Sequence, residues 1–165
     1  MLLTLLLLIK IESGGLSVHE YWGKISDLIS YRAKWEKSFI DEGIEAIIHP
    51  ALPLPAFPHG ASGNLTGAFS YTVIANMLNW PAGVVPVTVV REDEQHYRLE
   101  DIPKDQRDKM ANLSAEVMNK SAGLPMNVAV MTPEYQDENC LRIMKEIEKI
   151  VKFDSEPSAY KKGQL

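Results

Sequence analysis

The side chains that could do chemistry are few and scattered. His49 and His59 stand at the two ends of a proline-rich stretch, Ser13-Gly14-Gly15 and Gly60-Ala61-Ser62-Gly63 are the serine–glycine clusters, and Cys140 is the single thiol. A histidine acts as general base or metal ligand only with partners at hydrogen-bond or coordination distance. None is identifiable for His49 or His59, so both read as ordinary loop histidines. His19 and His96 read as exposed. No GxSxG elbow, HExxH pair or P-loop occurs. The glycines beside Ser13 and Ser62 are therefore simplest as loop glycines. A further group, Phe69, Tyr71, Met77 and Trp80, lies around one predicted helix. Core packing is its default explanation, although the adjoining Pro/Gly loop also suits a pocket wall.

The elements that must position these groups follow from periodicity and punctuation. Ser17 with Glu20 three residues later forms a capping box. Val18, Tyr21, Trp22, Ile25, Leu28, Ile29, Trp35 and Phe39 then recur at helical spacing, up to a stop at Gly43, which predicts a helix over 18–42. Residues 44–48 are Ile-rich and read as a buried strand ending at His49-Pro50. Pro50, Pro53, Pro55 and Pro58 enforce extended loop, since proline supplies no N–H to a helix or ladder. Gly60, Gly63 and Gly67 prolong it, and so long a loop in a compact domain is usually functional. A helix is expected over 68–79 and a strand over 83–90, with Pro86 marking an edge position or a bulge. A polar loop, a helix over 104–121, a turn at Gly123, a strand over 126–131 and a helix over 133–151 follow. On that last helix, Leu141, Met144, Ile147 and Val151 share one side. The tail from Lys152 is polar. Helices alternating with strands predict an α/β fold with helices covering a sheet.

Composition narrows the class. The chain has 165 residues, 45% hydrophobic and 24% charged, which suits one globular domain with a real core. Its net charge of −5 argues against nucleic acid as the main partner, because phosphate binding needs a basic surface. One cysteine excludes a disulfide framework, and no CxxC or paired His/Cys pattern suggests zinc. The opening run, Met1-Leu2-Leu3-Thr4-Leu5-Leu6-Leu7-Leu8-Ile9, falls short of the ~20 residues that span a bilayer. It reads as a piece of buried helix or strand. A signal-peptide core and a shallow membrane contact are the alternatives.

Three segments resemble fatty-acid amide hydrolases of the amidase-signature family. The first runs from Thr66-Gly67-Ala68-Phe69-Ser70-Tyr71-Thr72 to Trp80-Pro81-Ala82-Gly83-Val84-Val85-Pro86-Val87-Thr88, and its Pro-Ala-Gly-Val-Val-Pro-Val-Thr string is the most specific part. The second is Ser121-Ala122-Gly123-Leu124-Pro125 with the following strand, and the third is Glu138-Asn139-Cys140-Leu141-Arg142-Ile143-Met144-Lys145-Glu146-Ile147-Glu148. Ser17-Val18-His19-Glu20-Tyr21-Trp22 also resembles a helix of that family. The resemblance covers about residues 16–151. It implies a single partial amidase domain over 1–165, with 1–15 an apolar leader, 16–151 amidase-like and 152–165 a tail. The implied fold is the C-terminal part of the amidase-signature fold, a mixed sheet covered by helices on both faces.

The resemblance also carries functional expectations. The family cleaves amides with a Ser–Ser–Lys triad, in which lysine acting through one serine activates the other, and backbone amides stabilise the oxyanion. Those residues lie in segments N-terminal to the matched region, so no catalytic residue is assigned here, and none to Ser13. No metal or cofactor is implied. Thr66, Phe69 and Val73 fall at positions lining the family's acyl channel and are the candidate substrate-binding residues. The implied partners are a long-chain fatty acyl amide and either the missing N-terminal amidase portion or a homo-oligomeric copy. The implied setting is intracellular and membrane-associated. The chain is thus expected to be an inactive portion of an acyl amide hydrolase, the alternative being a non-catalytic module that binds acyl lipid or protein. An unrelated hydrolase built on His49 or His59 is the outside reading.

Overall fold

The structure is a computed structural model that describes residues 15–119 and 121–153. The apolar run over 1–9, Ser13, Gly14 and the tail from Asp154 lie outside the described residues.

Helix α1 spans Val18–Glu42 and begins and ends where its caps dictate. The Ser17 hydroxyl accepts from the Glu20 N–H at 3.2 Å, and the Glu20 carboxylate accepts from the Ser17 N–H at 3.0 Å. At the other end Gly43 turns left-handed at φ 64°, donating to the Ile40 carbonyl while Ile44 donates to that of Phe39. This paired closure satisfies two carbonyls that the helix leaves free. It also draws Ile44 into the cap, so strand β1 is Ile47–Pro50 rather than the expected 44–48. Pro50 is tolerated because β1 is an edge strand.

Strands β2 (Ala82–Val89) and β3 (Pro125–Met131) complete a three-stranded sheet of order β1-β3-β2. Both pairings are antiparallel, so the described residues contribute only antiparallel pairs to the expected mixed sheet. Pro86 meets both of its expectations: β2 is an edge, and its register shifts between Pro86 and Thr88. A residue without an N–H interrupts the ladder, and the extra residue is absorbed there.

Helix α2 is Ser70–Leu78, entered through 3₁₀ turns at Ala61–Asn64 and Thr66–Phe69, so the helix expected from 68 starts two residues later. Helix α3 is Lys109–Met118, shorter than the expected 104–121. Asp108 caps it by accepting the Ala111 N–H at 2.9 Å, and a capping carboxylate fixes a helix start more firmly than the polar stretch before it. Helix α4 is Asp137–Val151 rather than 133–151, because Pro133 to Gln136 closes as a turn first. Its inward side is Cys140, Met144, Ile147 and Val151, and Leu141 is exposed, correcting the expected face by one residue.

Alternation along the strands sends neighbours to opposite faces. Met131 joins Phe39, Ala75, Leu78 and Trp80 in one core cluster, with Trp35, Ile47 and Ile74 packed against it. That face therefore carries α1 and α2. Gly83, in register with Val130, faces α4, where a Cβ would collide with the Met144 thioether. Helices thus cover both faces, as an α/β layer requires. A second cluster joins Leu54, Leu65 and Ala68 to Phe57, Ala61, Met110, Leu113, Val117 and Met118, locking the proline loop onto α3. Among the described residues, no helix is long and apolar enough to cross a membrane.

Gly83 gives a direct test of the α4 face. A branched side chain there overpacks the contact with Met144, so Gly83→Val should lose about 1–3 kcal/mol in chemical denaturation. Gly83→Ala should lose less, because the obstructing atoms end a flexible side chain. A Gly83→Val protein as stable as the parent would mean that α4 sits farther from β2.

Candidate functional site

The segment from Pro50 to Leu78 concentrates the irregular backbone and most of the candidate groups. Proline sets the loop extended, and Leu54 and Pro55 are buried beneath it. Gly60 takes φ 85°, a conformation that side chains disfavour, and opens the two 3₁₀ turns. Gly67 lies against α3, where a Cβ would come within 2.7 Å of the Met110 Cε. The turns deliver Thr66, Phe69 and Val73 at spacings of three and four residues. Those spacings align them along one side of the turn–helix segment.

That side is distinct from the one used for the core. Ala75 and Leu78 are the buried residues of α2, and Ile74 packs with them. Val73 and Phe69 are half-buried, and Thr66 is exposed with its hydroxyl donating to the Gly63 carbonyl at 3.3 Å. The Phe69 ring meets Phe57 edge to face, centroids 6.0 Å apart and planes at 85°. An edge-to-face pair of this kind holds both rings in place. The result is an apolar strip on the outer side of α2, backed by the second core cluster. Phe57 was missed in the sequence, although an aromatic between two loop prolines is a usable signal for one.

The remaining candidates do not assemble into a catalytic centre. His49 Nδ1 lies 2.9 Å from the Pro50 carbonyl, which can only accept, so Nδ1 carries the proton. Its Nε2 is buried without a hydrogen-bond partner among the described residues, and its ring stacks on Tyr71 at 6.4 Å and 15°. The His49 ring thus packs as part of the β1–α2 contact. His59 and Ser62 are exposed on the loop. Ser121 is buried, with its hydroxyl donating to the Met118 carbonyl at 2.6 Å. Burial pushes the Cys140 thiol up, and its sulfur contacts the Val130 carbonyl at 3.5 Å, so it is a packing group at neutral pH. Among the described residues no three His, Cys, Asp or Glu side chains cluster to hold a metal.

Two clefts border this region. One of about 340 Å³ is lined by Asn76, Asn79, Trp80, Pro81, Glu134 and Tyr135, together with Ala75 and Asp137. The other, of about 300 Å³ and more apolar, lies between the loop at Ala51, Leu52, Leu54, Pro55 and Ala56 and the strand start at Pro125, Met126 and Asn127. Thr66, Phe69 and Val73 line neither.

Comparison with known proteins gives the fold a family. The amidase family model matches residues 6–141, most of the chain. The chain belongs to the amidase family. The match starts within the apolar run of residues 1–9 and ends in α4. Among curated amidases, the chain is 36% identical over 150 residues to fatty-acid amide hydrolase 1 of Sus scrofa, covering 86% of this chain and 24% of that one. It is 31% identical over 123 residues to fatty acid amide hydrolase 1 of Caenorhabditis elegans, covering 74% and 21%. A solved structure of a fatty acid amide hydrolase superposes with a TM-score of 0.71 at 20% identity, over 85% of this chain and 24% of that chain. That likeness establishes the shared fold. This amidase chain spans about a quarter of the length of the relatives it matches.

Proposed function

We propose that this chain is the C-terminal, acyl-binding portion of an amide hydrolase of the fatty-acid amide hydrolase type. Its substrate class is long-chain fatty acyl amides. The strip of Thr66, Phe69 and Val73 contributes one wall of the acyl channel, and the Ser–Ser–Lys machinery belongs to a segment outside this sequence. The observation that carries the reading is the alignment of these three residues on the side of α2 that the sheet core does not use.

Such a wall acts by binding. Each methylene it takes from water contributes about 0.8 kcal/mol, so a long chain gains affinity through length. The Phe57–Phe69 pair keeps the wall from collapsing when no acyl chain is present. Binding energy from this remote part of the substrate fixes the carbonyl for attack elsewhere in the complete site. The partner is accordingly the remaining amidase portion, and the setting is intracellular at a membrane surface, where acyl amides partition.

The test is labelling of the purified chain with a fluorophosphonate probe, alongside hydrolysis and binding of a long-chain acyl amide. The expected result is no labelling, no turnover and measurable binding that Phe69→Ala weakens about tenfold, the equivalent of about two methylenes of lost contact. Stoichiometric labelling with turnover would place a nucleophilic serine in this chain and overturn the reading. Absence of binding by folded protein would remove the acyl wall.

A further inference from the structure

Helix α2 has nine residues and no side-chain cap at its N-terminus. A helix so short is marginal by itself and depends on tertiary contacts. At its C-terminal end, besides the core packing of Ala75 and Leu78, two side-chain hydrogen bonds tether it to other parts of the fold. The Arg32 Nε of α1 donates to the Met77 carbonyl at 2.6 Å, across 45 positions of sequence. Asn79, which closes the helix in the left-handed conformation at φ 60°, donates from its amide to Glu134 Oε1 at 2.6 Å.

The first of these contacts is unusual in chemistry. Arg32 is half-buried, and among the described residues no carboxylate pairs with its guanidinium. Its hydrogen bond goes to a backbone oxygen in the last turn of α2, where the helix dipole is negative and a cation is favoured. A charged donor on a carbonyl gives a stronger bond than a neutral one. One helical turn before Met77 is Val73, and Phe69 stands at the helix entry. Movement at Met77 therefore shifts Val73 and Phe69 with it.

We propose that Arg32 is a positioning residue: by anchoring the Met77 carbonyl it sets the tilt of α2 and so the length of acyl chain that the Phe69–Val73 wall accepts. The acyl part of this statement rests on the function proposed above, whereas the anchoring of α2 does not. Arginine suits the task because its Nε–H belongs to a planar, pre-organised group that loses less freedom on bonding than an ammonium on a flexible stem. Lysine keeps the charge but carries its donor on a longer, flexible stem.

The experiment uses the full chain with Arg32→Met and Arg32→Lys. Two readouts are taken: hydrogen exchange of the amides over residues 70–78 against those over 126–131, and the affinity ratio for long against short fluorescent acyl amides. Losing a charged hydrogen bond should speed exchange across 70–78 in Arg32→Met roughly tenfold or more, with 126–131 unchanged and Arg32→Lys partly restoring it. The long-to-short ratio should fall in Arg32→Met and recover in Arg32→Lys. Uniform acceleration across both segments would make Arg32 a general stability contact and overturn the proposal. So would unchanged exchange over 70–78, or an unchanged ratio in a chain that binds acyl amides. If the parent chain binds none, the acyl reading fails, and the exchange data still decide whether Arg32 anchors α2.

Discussion

Trp80→Ala is expected to destabilise the chain by about 3–5 kcal/mol, the range for truncating a large buried aromatic. Trp80 is 6% exposed and joins α2 to β2 at the centre of the first cluster. Its ring meets Phe39 of α1 at 4.6 Å and 78°, and Trp35 at 6.2 Å and 88°. Its backbone N–H donates to the Ala75 carbonyl at 3.1 Å, completing the closure of α2 that left-handed Asn79 begins. Truncation removes a large apolar surface and two edge-to-face contacts, and the surrounding rings cannot fill the space without moving a helix. Native domains hold only about 5–15 kcal/mol in total, so a large share of the margin disappears. The check is urea denaturation with a thermal scan, where each kcal/mol should lower the midpoint roughly 2–4 °C. A loss below about 1 kcal/mol would show that Trp80 is not in a closed core.

Leu65→Ala should cost about 2–5 kcal/mol by a different route. Leu65 is 1% exposed between the two 3₁₀ turns and packs in the second cluster with Leu54 and Ala68. The loop has few ladder hydrogen bonds to keep its shape, so side-chain burial against Met110, Leu113, Val117 and Met118 holds it. Emptying the Leu65 site frees the turn that carries Thr66 and Phe69. Affinity for a long acyl amide should therefore fall along with stability, and denaturation and binding titrations on the same variant check both. The two clusters share no buried residue. The double variant Trp80→Ala with Leu65→Ala should then be additive within about 0.5 kcal/mol, unless it unfolds outright. A larger coupling would show one continuous core.

The sequence by itself determined the features whose physics is local. Ser17, Glu20 and Gly43 bound α1 because caps act within four residues of a helix end. Pro86 announced an edge or a bulge because a missing N–H is a property of one residue, and the strand shows both. Alternation of helices and strands, together with the Pro-Ala-Gly-Val-Val-Pro-Val-Thr string, gave the α/β class and the amidase family, and the match over residues 6–141 agrees. Thr66, Phe69 and Val73 came from that resemblance, since nothing in their types alone marks a wall.

Tertiary structure decided what depends on residues far apart in the chain. Ile44 reads as strand until the closure at Gly43 claims it, and Cys140 rather than Leu141 turns inward because α4 starts at Asp137 and rolls onto Gly83. Periodicity gives the apolar arc of a helix but not its phase against a neighbour, and the exposed Val18, Trp22 and Ile29 of α1 show how far that arc can exceed the packed part. The Phe57–Phe69 contact, the His49–Tyr71 stack and the Arg32 bond to Met77 join residues 12, 22 and 45 positions apart. No local rule pairs such residues. Their meeting follows from burying two apolar clusters around one sheet, which fixes where each remaining side chain must lie.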